Sequence, residues 1–247
     1  MVFRSGNPAL KQNHFTPVYG QEAMTLEGTI TKTMTMLAVV FITGVMAYSI
    51  SSQSPSSAML MMIGGGIGGF ILALIIIFSR PAQPQVLMIM YSLLEGLFVG
   101  AMSYVVENWY FGGSPGVVLQ ALIATVGVFV VMLTLYRYRI IQPTEKFVLA
   151  VVSIAGAIMM VYLANMVLMM MGTSIPFIHG NGVIGIGFSL LATGMAALFL
   201  IIDFGVIEKG VKNGAPKSME WYGAFGLVVT LIWLYVEMLR LLAKMRD

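Results

Sequence analysis

The fold is decided by stretches such as residues 183–202, which read VIGIGFSLLATGMAALFLII and contain no charged side chain. A helix that crosses a bilayer needs about 20 predominantly apolar residues, and this stretch supplies them. Six further stretches share this length and character. The seven predicted spans are Thr33–Ile50, Ala58–Phe78, Val86–Val106, Val117–Tyr136, Phe147–Met170, Val183–Ile202 and Trp221–Leu242. The sequence therefore predicts an all-α, polytopic membrane protein.

The segments between these spans are rich in residues that break helices. Gly, Pro and Ser cluster in residues 51–57, 81–84, 111–116 and 172–182. None of the spans alternates apolar and polar residues as the strands of a membrane β-barrel do. Short separators between spans indicate one helical domain, residues 33–247. Residues 1–32 are polar and are interpreted as a cytoplasmic tail, with a first helix that starts within Thr29–Lys32.

The composition excludes several classes of protein. Hydrophobic residues make up 59% of the chain and charged residues 9%, whereas about a quarter of a soluble protein is charged. The mean hydropathy is +0.93. The chain contains no cysteine and two histidines, which argues against disulfides, thiol chemistry and a histidine-rich zinc site. A net charge of +3 is too small for a nucleic-acid-binding surface. We expect no cofactor and no nucleic-acid partner.

The positive charges predict the orientation of the spans. Of the 13 Lys and Arg residues, all but three lie in the tail or in every second loop, and the alternate loops hold none. Cytoplasmic loops of membrane proteins carry this excess, so we predict a cytoplasmic N-terminus, in a bacterial inner membrane. The other three, Arg240, Lys244 and Arg246, lie at the end of the seventh span or after it. Either the earlier loops override them, or the last segment is re-entrant.

Enzymatic chemistry is not expected. Three serines, Ser92, Ser103 and Ser189, lie in predicted spans, but no histidine lies in a span to activate them. The histidine nearest to a span end, His179, falls in the loop after the fifth span. An intramembrane serine or metal protease would need such a partner at the same depth.

Carboxylates inside apolar stretches are the strongest functional signal. Glu95, Asp203 and Glu237 are the three, and Glu220 opens the last span. An acid at the centre of a membrane helix costs about 2.5–3.5 kcal/mol on insertion scales, so such residues are functional candidates by default. No span interior holds a Lys or Arg as an obvious partner. Buried acids without buried bases favour a path for cations or protons.

Each acid also has a purely structural interpretation. Glu95 could hydrogen-bond to a hydroxyl on a neighbouring helix, and Asp203 could be an interfacial acid that contacts water. Arg240 follows Glu237 by three positions, on the same helix face, and could neutralise it. A helix N-terminus favours an acid such as Glu220 without any further role.

Glycines spaced four residues apart predict close helix packing. The pairs are Gly64 with Gly68 and Gly65 with Gly69 in the second span, and Gly96 with Gly100 in the third. Small residues at this spacing allow two membrane helices to approach closely.

Several motifs resemble the transmembrane Bax inhibitor motif family. The third-span segment 91–96, YSLLEG, is similar to the Glu-Gly segment of that family, and residues 203–207, DFGVI, resemble the exit from its sixth span. In the last span, residues 234–237, LYVE, resemble Leu-Tyr-Leu-Asp, and residues 239–242 read LRLL, as the closing motif does. Residues 28–32, GTITK, and 219–222, MEWY, resemble a bacterial branch. The likeness covers about residues 25–245.

The resemblance implies six helices around a central seventh, and a pH-sensitive calcium leak gated by two acids from the sixth and seventh spans. Asp203 is the first acid. The second is Glu237 if LYVE is aligned, whereas alignment on LRLL puts Thr230 at that position; Glu220 is a third possibility. A Ca²⁺ site of Asp203 and Glu237 would need carbonyls and water to complete its six to eight ligands.

Three functions follow from these observations. The first is a cation leak channel, for calcium, gated by proton binding at the acids, with Ca²⁺ and H⁺ as its partners in the lipid bilayer. The second is a membrane adaptor that binds a membrane protease or quality-control partner through its tail. The third is a proton-coupled transporter, against which stands the lack of an inverted repeat with paired broken helices.

Overall fold

The computed structural model describes residues 22–110, 116–173, 175 and 182–246. Most of the predicted tail and His179 lie outside the described residues. Seven long α-helices account for nearly all of the described chain, and the third continues into a short π-helical turn, Val106–Tyr110. The helices are α1 Leu26–Gln53, α2 Pro55–Ser79, α3 Gln85–Val105, α4 Val117–Arg137, α5 Glu145–Met170, α6 Val183–Lys212 and α7 Met219–Arg246.

The last helix lies at the centre of the bundle. Helix α7 packs against α1, α3, α4 and α6, while α2 packs on α1 and α3 and α5 packs on α6. In the most apolar part of α7, 67% of the residues are buried within the bundle, against 17% in the corresponding part of α2. The predicted arrangement of six helices around a central seventh is thereby confirmed.

The outer helices turn large apolar side chains away from the bundle. Leu60, Phe78, Ile123 and Leu149 are all mostly exposed. Soluble monomers rarely expose contiguous apolar patches of this extent. Because all seven helices are long and apolar enough to cross a bilayer, lipid is the solvent that fits this surface. The chain is an integral membrane protein.

Glycines set the closest helix contacts, as predicted for two of the three pairs. A Cβ built at Gly100 would collide with the backbone of Gly44 on α1, and one at Gly65 would lie 2.7 Å from the carbonyl oxygen of Leu94 on α3. The remaining pair, Gly64 with Gly68, is only half in contact: a Cβ at Gly64 would have nothing within 4 Å, whereas one at Gly68 would lie 3.0 Å from Cδ1 of Leu94. The α1–α3 and α2–α3 interfaces therefore require glycine, which has no side chain, at these positions.

Two helix boundaries that differ from the prediction have a clear local cause. Helix α1 begins at Leu26 because the side chain of Thr25 caps it by accepting from the Gly28 amide. Helix α6 continues ten residues beyond Ile202, where Glu208 and Lys212 form an (i, i+4) ion pair on its surface. Helix α7 is unbroken over 28 residues, about 42 Å at 1.5 Å per residue. This length is enough for a full crossing, which favours a crossing over a re-entrant last segment.

Candidate functional site

Asp203 lies in the contact between α6 and the central helix. Its side chain is completely buried among apolar neighbours that include Ile202 and Phe204. The hydroxyl of Thr230 on α7 donates to Asp203 Oδ2 at 2.6 Å. Because α6 continues to Lys212, Asp203 lies well inside its helix instead of at the end of the span.

Thr230 has two acceptors within reach of its single proton. Its Oγ1 lies 2.6 Å from Asp203 Oδ2 and 3.1 Å from the carbonyl oxygen of Gly226, one turn earlier on α7. A hydroxyl has one proton to donate, but it also accepts. It can therefore donate to an ionised Asp203, or accept from a protonated Asp203 and donate to Gly226. The site can therefore hold either of two hydrogen-bonding arrangements, according to whether Asp203 is protonated.

Glu237 belongs to a different group of side chains. It lies seven residues beyond Thr230, which is two turns or about 10 Å along α7. Its carboxylate, 1% exposed, accepts from Tyr162 at 2.9 and 3.0 Å and from Trp233 at 3.2 Å. Arg240 donates to it at 3.3 Å and stacks on Tyr162, 4.6 Å from the ring centroid. The structure groups Asp203 with Thr230 and Glu237 with Arg240.

A buried lysine continues this group toward the end of α7. Lys244, one turn beyond Arg240, donates to the hydroxyl of Ser189 at 2.8 Å and to the carbonyl oxygen of Gly185 at 3.1 Å. The sequence does not indicate the contact with Ser189, because the two residues are 55 positions apart. The other two serines bond within the bundle, Ser92 to the carbonyl oxygen of Met88 and Ser103 to the hydroxyl of Tyr235.

Glu220 anchors the opposite end of the central helix to α1. It is fully buried in the first turn of α7, accepts from the amide and hydroxyl of Thr25 at 2.9 and 2.8 Å, and pairs with Lys32. A Cβ at Gly28 would collide with this carboxylate. The close fit and the ion pair give Glu220 a structural role at the junction of the two helices.

Glu95 lies between α2 and α3 and is partly buried. A Cβ at Gly69 would lie 2.7 Å from its Oε1, so the glycine makes room for the carboxylate. Glu220, in contrast, belongs to α7, and Asp203 contacts that helix through Thr230. Glu95 therefore stands apart from the other predicted site residues.

Two acids with defined partners escaped the sequence reasoning. Glu107, in the π-helical turn, accepts from the hydroxyl of Tyr48 at 2.6 Å and from the amide of Gly116 at 2.7 Å. Glu208 accepts from Arg139 and Lys212, each at 2.6 Å. Both lie just beyond predicted span ends, where an acid is common. Only the partners from distant segments, Tyr48 and Arg139, distinguish them, and no sequence spacing reveals these contacts.

Within the described part of the chain, no three acidic, histidine or cysteine side chains come together in a way that could hold a metal ion. At Asp203 a Ca²⁺ ion would meet one carboxylate and would need water and carbonyl oxygens for its remaining ligands.

Comparison with known proteins agrees with the fold. A search of curated proteins finds no match. A family model described as Bax inhibitor 1 like matches residues 7–247, which is nearly the whole chain. The match includes all seven helices and the residues of the buried sites described above. The chain belongs to the Bax inhibitor 1 like family of membrane proteins.

Proposed function

We propose that the protein is a calcium leak channel whose conduction depends on the protonation of Asp203. The observation that carries the proposal is the contact of Asp203 with Thr230, completely buried between α6 and the central helix. A carboxylate at such depth costs free energy that packing alone would not require. Membership of the Bax inhibitor 1 like family supports the assignment at a coarser level, since it gives the family and not the transported ion.

The two protonation states of Asp203 differ in how well they hold the helices together. When Asp203 is protonated, its carboxyl group donates to Thr230 and the Thr230 hydroxyl donates to the carbonyl oxygen of Gly226. Both protons then have an acceptor. With Asp203 ionised, the Thr230 proton goes to the carboxylate, so the carbonyl oxygen of Gly226 loses the Thr230 hydroxyl and a negative charge is buried between the two helices. The protonated state is therefore the closed one, and the ionised state favours separation of α6 from α7 and entry of water.

The ionised state also attracts cations. A carboxylate is a hard oxygen ligand of the kind that Ca²⁺ prefers, and the hydroxyl of Thr230 and the carbonyl of Gly226 are further oxygens beside it. The cations near the other acids neutralise them: Lys32 pairs with Glu220 and Arg240 with Glu237. On this proposal Asp203 is the pH-sensitive group and those two acids hold the ends of the central helix.

The orientation is part of the proposal. The positive charges of the tail and alternate loops favour a cytoplasmic N-terminus in a bacterial inner membrane. Calcium would then enter the cell down its gradient, more slowly at acidic pH. No catalytic step is involved.

Calcium entry into liposomes that contain the purified protein tests this function. We expect a protein-dependent flux that is larger at pH 8 than at pH 6. Protein-free liposomes are the control for lipid leakage, and an inward proton movement that depends on calcium would instead indicate a coupled transporter. A folded protein that passes no calcium at either pH would refute the proposal.

A membrane adaptor is the second candidate, and one observation favours it. Residues 22–24, just before α1, are fixed to the segment between α6 and α7: the Met24 amide donates to the carbonyl of Ala215 at 2.6 Å, and the Lys217 amide donates to that of Glu22 at 2.8 Å. The start of the described chain is thus fixed to the bundle at residues 22–24. Deletion of residues 2–20 keeps these contacts, and on the adaptor hypothesis it abolishes recovery of a partner while calcium flux is unchanged.

A further inference from the structure

A cavity of about 310 Å³ opens between α6 and the loop that joins α4 to α5. Its size is at the lower end of the range for small-molecule sites. Ile202, Gly205 and Val206 form its apolar side on α6, and the polar groups that line it include Arg139, Lys209 and Lys212. None of these cations takes part in the ion path proposed above.

The charge of this cavity is positive. Its lining holds three cations, Arg139, Lys209 and Lys212, against one acid, Glu208, which leaves a net charge of +2. The carboxylate of Glu208 accepts hydrogen bonds from the side chains of Arg139 and Lys212, each at 2.6 Å, and from the hydroxyl of Tyr136. One carboxylate thus orients two cations toward the same space without cancelling them. Arg and Lys are the side chains that bind phosphate groups, Arg through a planar fork of donors and Lys as a point charge.

The backbone of the loop is fixed in an unusual conformation at the cavity. Arg139 has φ of +60°, in the left-handed region that a residue with a side chain seldom adopts. The loop also lies directly on α6, since a Cβ at Gly205 would collide with the ring of Pro143. The Arg139 guanidinium stacks on Tyr136, 5.7 Å from the ring centroid. These contacts hold the Arg139 side chain over the cavity.

Two neighbours of Arg139 indicate that the cavity lies at the level of the lipid headgroups. Tyr138 and Ile140, on either side of Arg139, are 72% and 67% exposed. An exposed Tyr and Ile at the end of a membrane-spanning helix fit the interface between hydrocarbon and water, where Tyr is enriched. The cavity also lies on the side where positive charge collects, and basic pockets between membrane helices on that side suit anionic headgroups.

We propose that this cavity binds the phosphate group of an anionic phospholipid. Arg139, Lys209 and Lys212 contact the phosphate oxygens, the Tyr136 hydroxyl and Glu208 hold the cations in place, and the acyl chains follow the exposed apolar surface of the bundle. A soluble phosphate compound offers the same chemistry without acyl chains, so the test must separate the two.

Thermal unfolding of the purified protein in detergent micelles provides that test. Added phosphatidylglycerol is expected to raise the Tm, whereas phosphatidylcholine with the same acyl chains, or inorganic phosphate, is not. The double variant Arg139→Gln/Lys209→Gln should weaken the apparent affinity for phosphatidylglycerol by about fivefold for each lost cation. The control variant, Arg137→Gln/Lys146→Gln, removes two exposed cations of the same side that do not line the cavity.

Each outcome decides the proposal. A phosphatidylglycerol response that is lost in the cavity variant and kept in the control supports it. An equal response to inorganic phosphate assigns the cavity to a soluble ligand, and an equal loss in both variants reduces it to general surface charge; both overturn the lipid site. If the double variant does not fold, Lys212→Gln, at a side chain that is 64% exposed, replaces it with the same expectations.

Discussion

At the scale of single residues, the central helix and its contacts hold three buried acids with separate roles. Thr230 bonds Asp203, Glu237 bonds Arg240, and Glu220 bonds Lys32 on α1. Two of the three acids pair with a cation, whereas Asp203 accepts from the neutral hydroxyl of Thr230. On the proposal above, the ion pairs hold the helices together, whereas the Asp203–Thr230 contact, which can exist in two protonation states, is the pH-sensitive one.

Replacement of Glu237 tests this separation. In Glu237→Gln, Tyr162 and Trp233 keep a side-chain oxygen to which they can donate, but Arg240 loses its countercharge. We expect the free energy of unfolding to fall by about 1–3 kcal/mol, while the pH dependence of calcium flux stays as in the wild type. Denaturation and flux measured on the same preparation check both. A flattened pH response would instead make Glu237 part of the gate.

The sequence predicted some of these residues and could not predict others. Asp203 was recognisable because apolar residues surround it on both sides. Thr230 was one of three possible partners, since the relative shift of two helices is a tertiary property that no single span encodes. Glu208 was missed because its partner Arg139 is 69 residues away, in a loop.

At the scale of elements, helix α3 is held by glycines that admit the backbone of α1. Gly96 and Gly100 meet Val40, Thr43 and Gly44, so that a methyl group at either glycine has no space. The spacing of the glycines predicted close packing but not which helix would approach. The structure shows that glycines at the same spacing in α2 serve α3 instead, with Gly65 but not Gly64 in the contact.

Alanine substitution separates packing from helix propensity. Gly100→Ala should destabilise the protein by about 1–3 kcal/mol, because the added methyl group forces α1 and α3 apart. Gly127→Ala on α4 is the matched control, since nothing lies within 4 Å of its Cβ position and alanine favours a helix more than glycine does. Thermal unfolding of both variants checks the difference; equal effects would contradict the proposed α1–α3 contact.

The segment before α1 should respond to pH through Glu22. A hydrogen bond from Lys217, together with its charge, holds the pKa of Glu22 below its ordinary value of 4.5. A depressed folded-state pKa stabilises the contact above the unfolded value, and this stabilisation is lost as the pH falls through the folded value. Hydrogen exchange at the amides of Met24 and Lys217, corrected for the intrinsic rate, should therefore speed up as the pH falls below about 4.5.

The control for this pH response is a neighbouring exposed acid. Glu22→Gln should abolish the acid-dependent loss of protection, and Glu27→Gln, whose carboxylate lies outside the contact, should not. The same loss in both variants would mean that a wider change at low pH releases the segment, and not the Glu22–Lys217 pair.

At the scale of the whole molecule, the sequence could predict the architecture well. Apolar length indicated seven helices and the family resemblance implied the central position of the last one, and the structure has both. The extension of α6 to Lys212 could not be predicted, because the charged residues of its final turns are typical of a loop. The ion pair of Glu208 with Lys212 stabilises these turns. The cavity beside it was unpredictable for the same reason.

The orientation of the molecule follows from its charges and can be measured directly. A reporter fused after Ser54, between α1 and α2, should lie outside the cell, and one fused after Asn213, between α6 and α7, should lie inside. The reason is that positive residues keep alternate loops in the cytoplasm. Both reporters on the same side would contradict seven full crossings.

The most direct test of the proposed channel is the pH dependence of calcium flux in Asp203→Asn. Asparagine keeps the shape of the side chain and can still bond Thr230, but it cannot ionise. We predict that flux rises with pH in the wild type, by at most about tenfold per pH unit for a single titrating group, and that this rise disappears in Asp203→Asn. Glu145→Gln, at an exposed acid at the start of α5, should retain it. A folded Asp203→Asn protein whose calcium flux keeps the wild-type pH dependence would contradict the role of Asp203 as the gate.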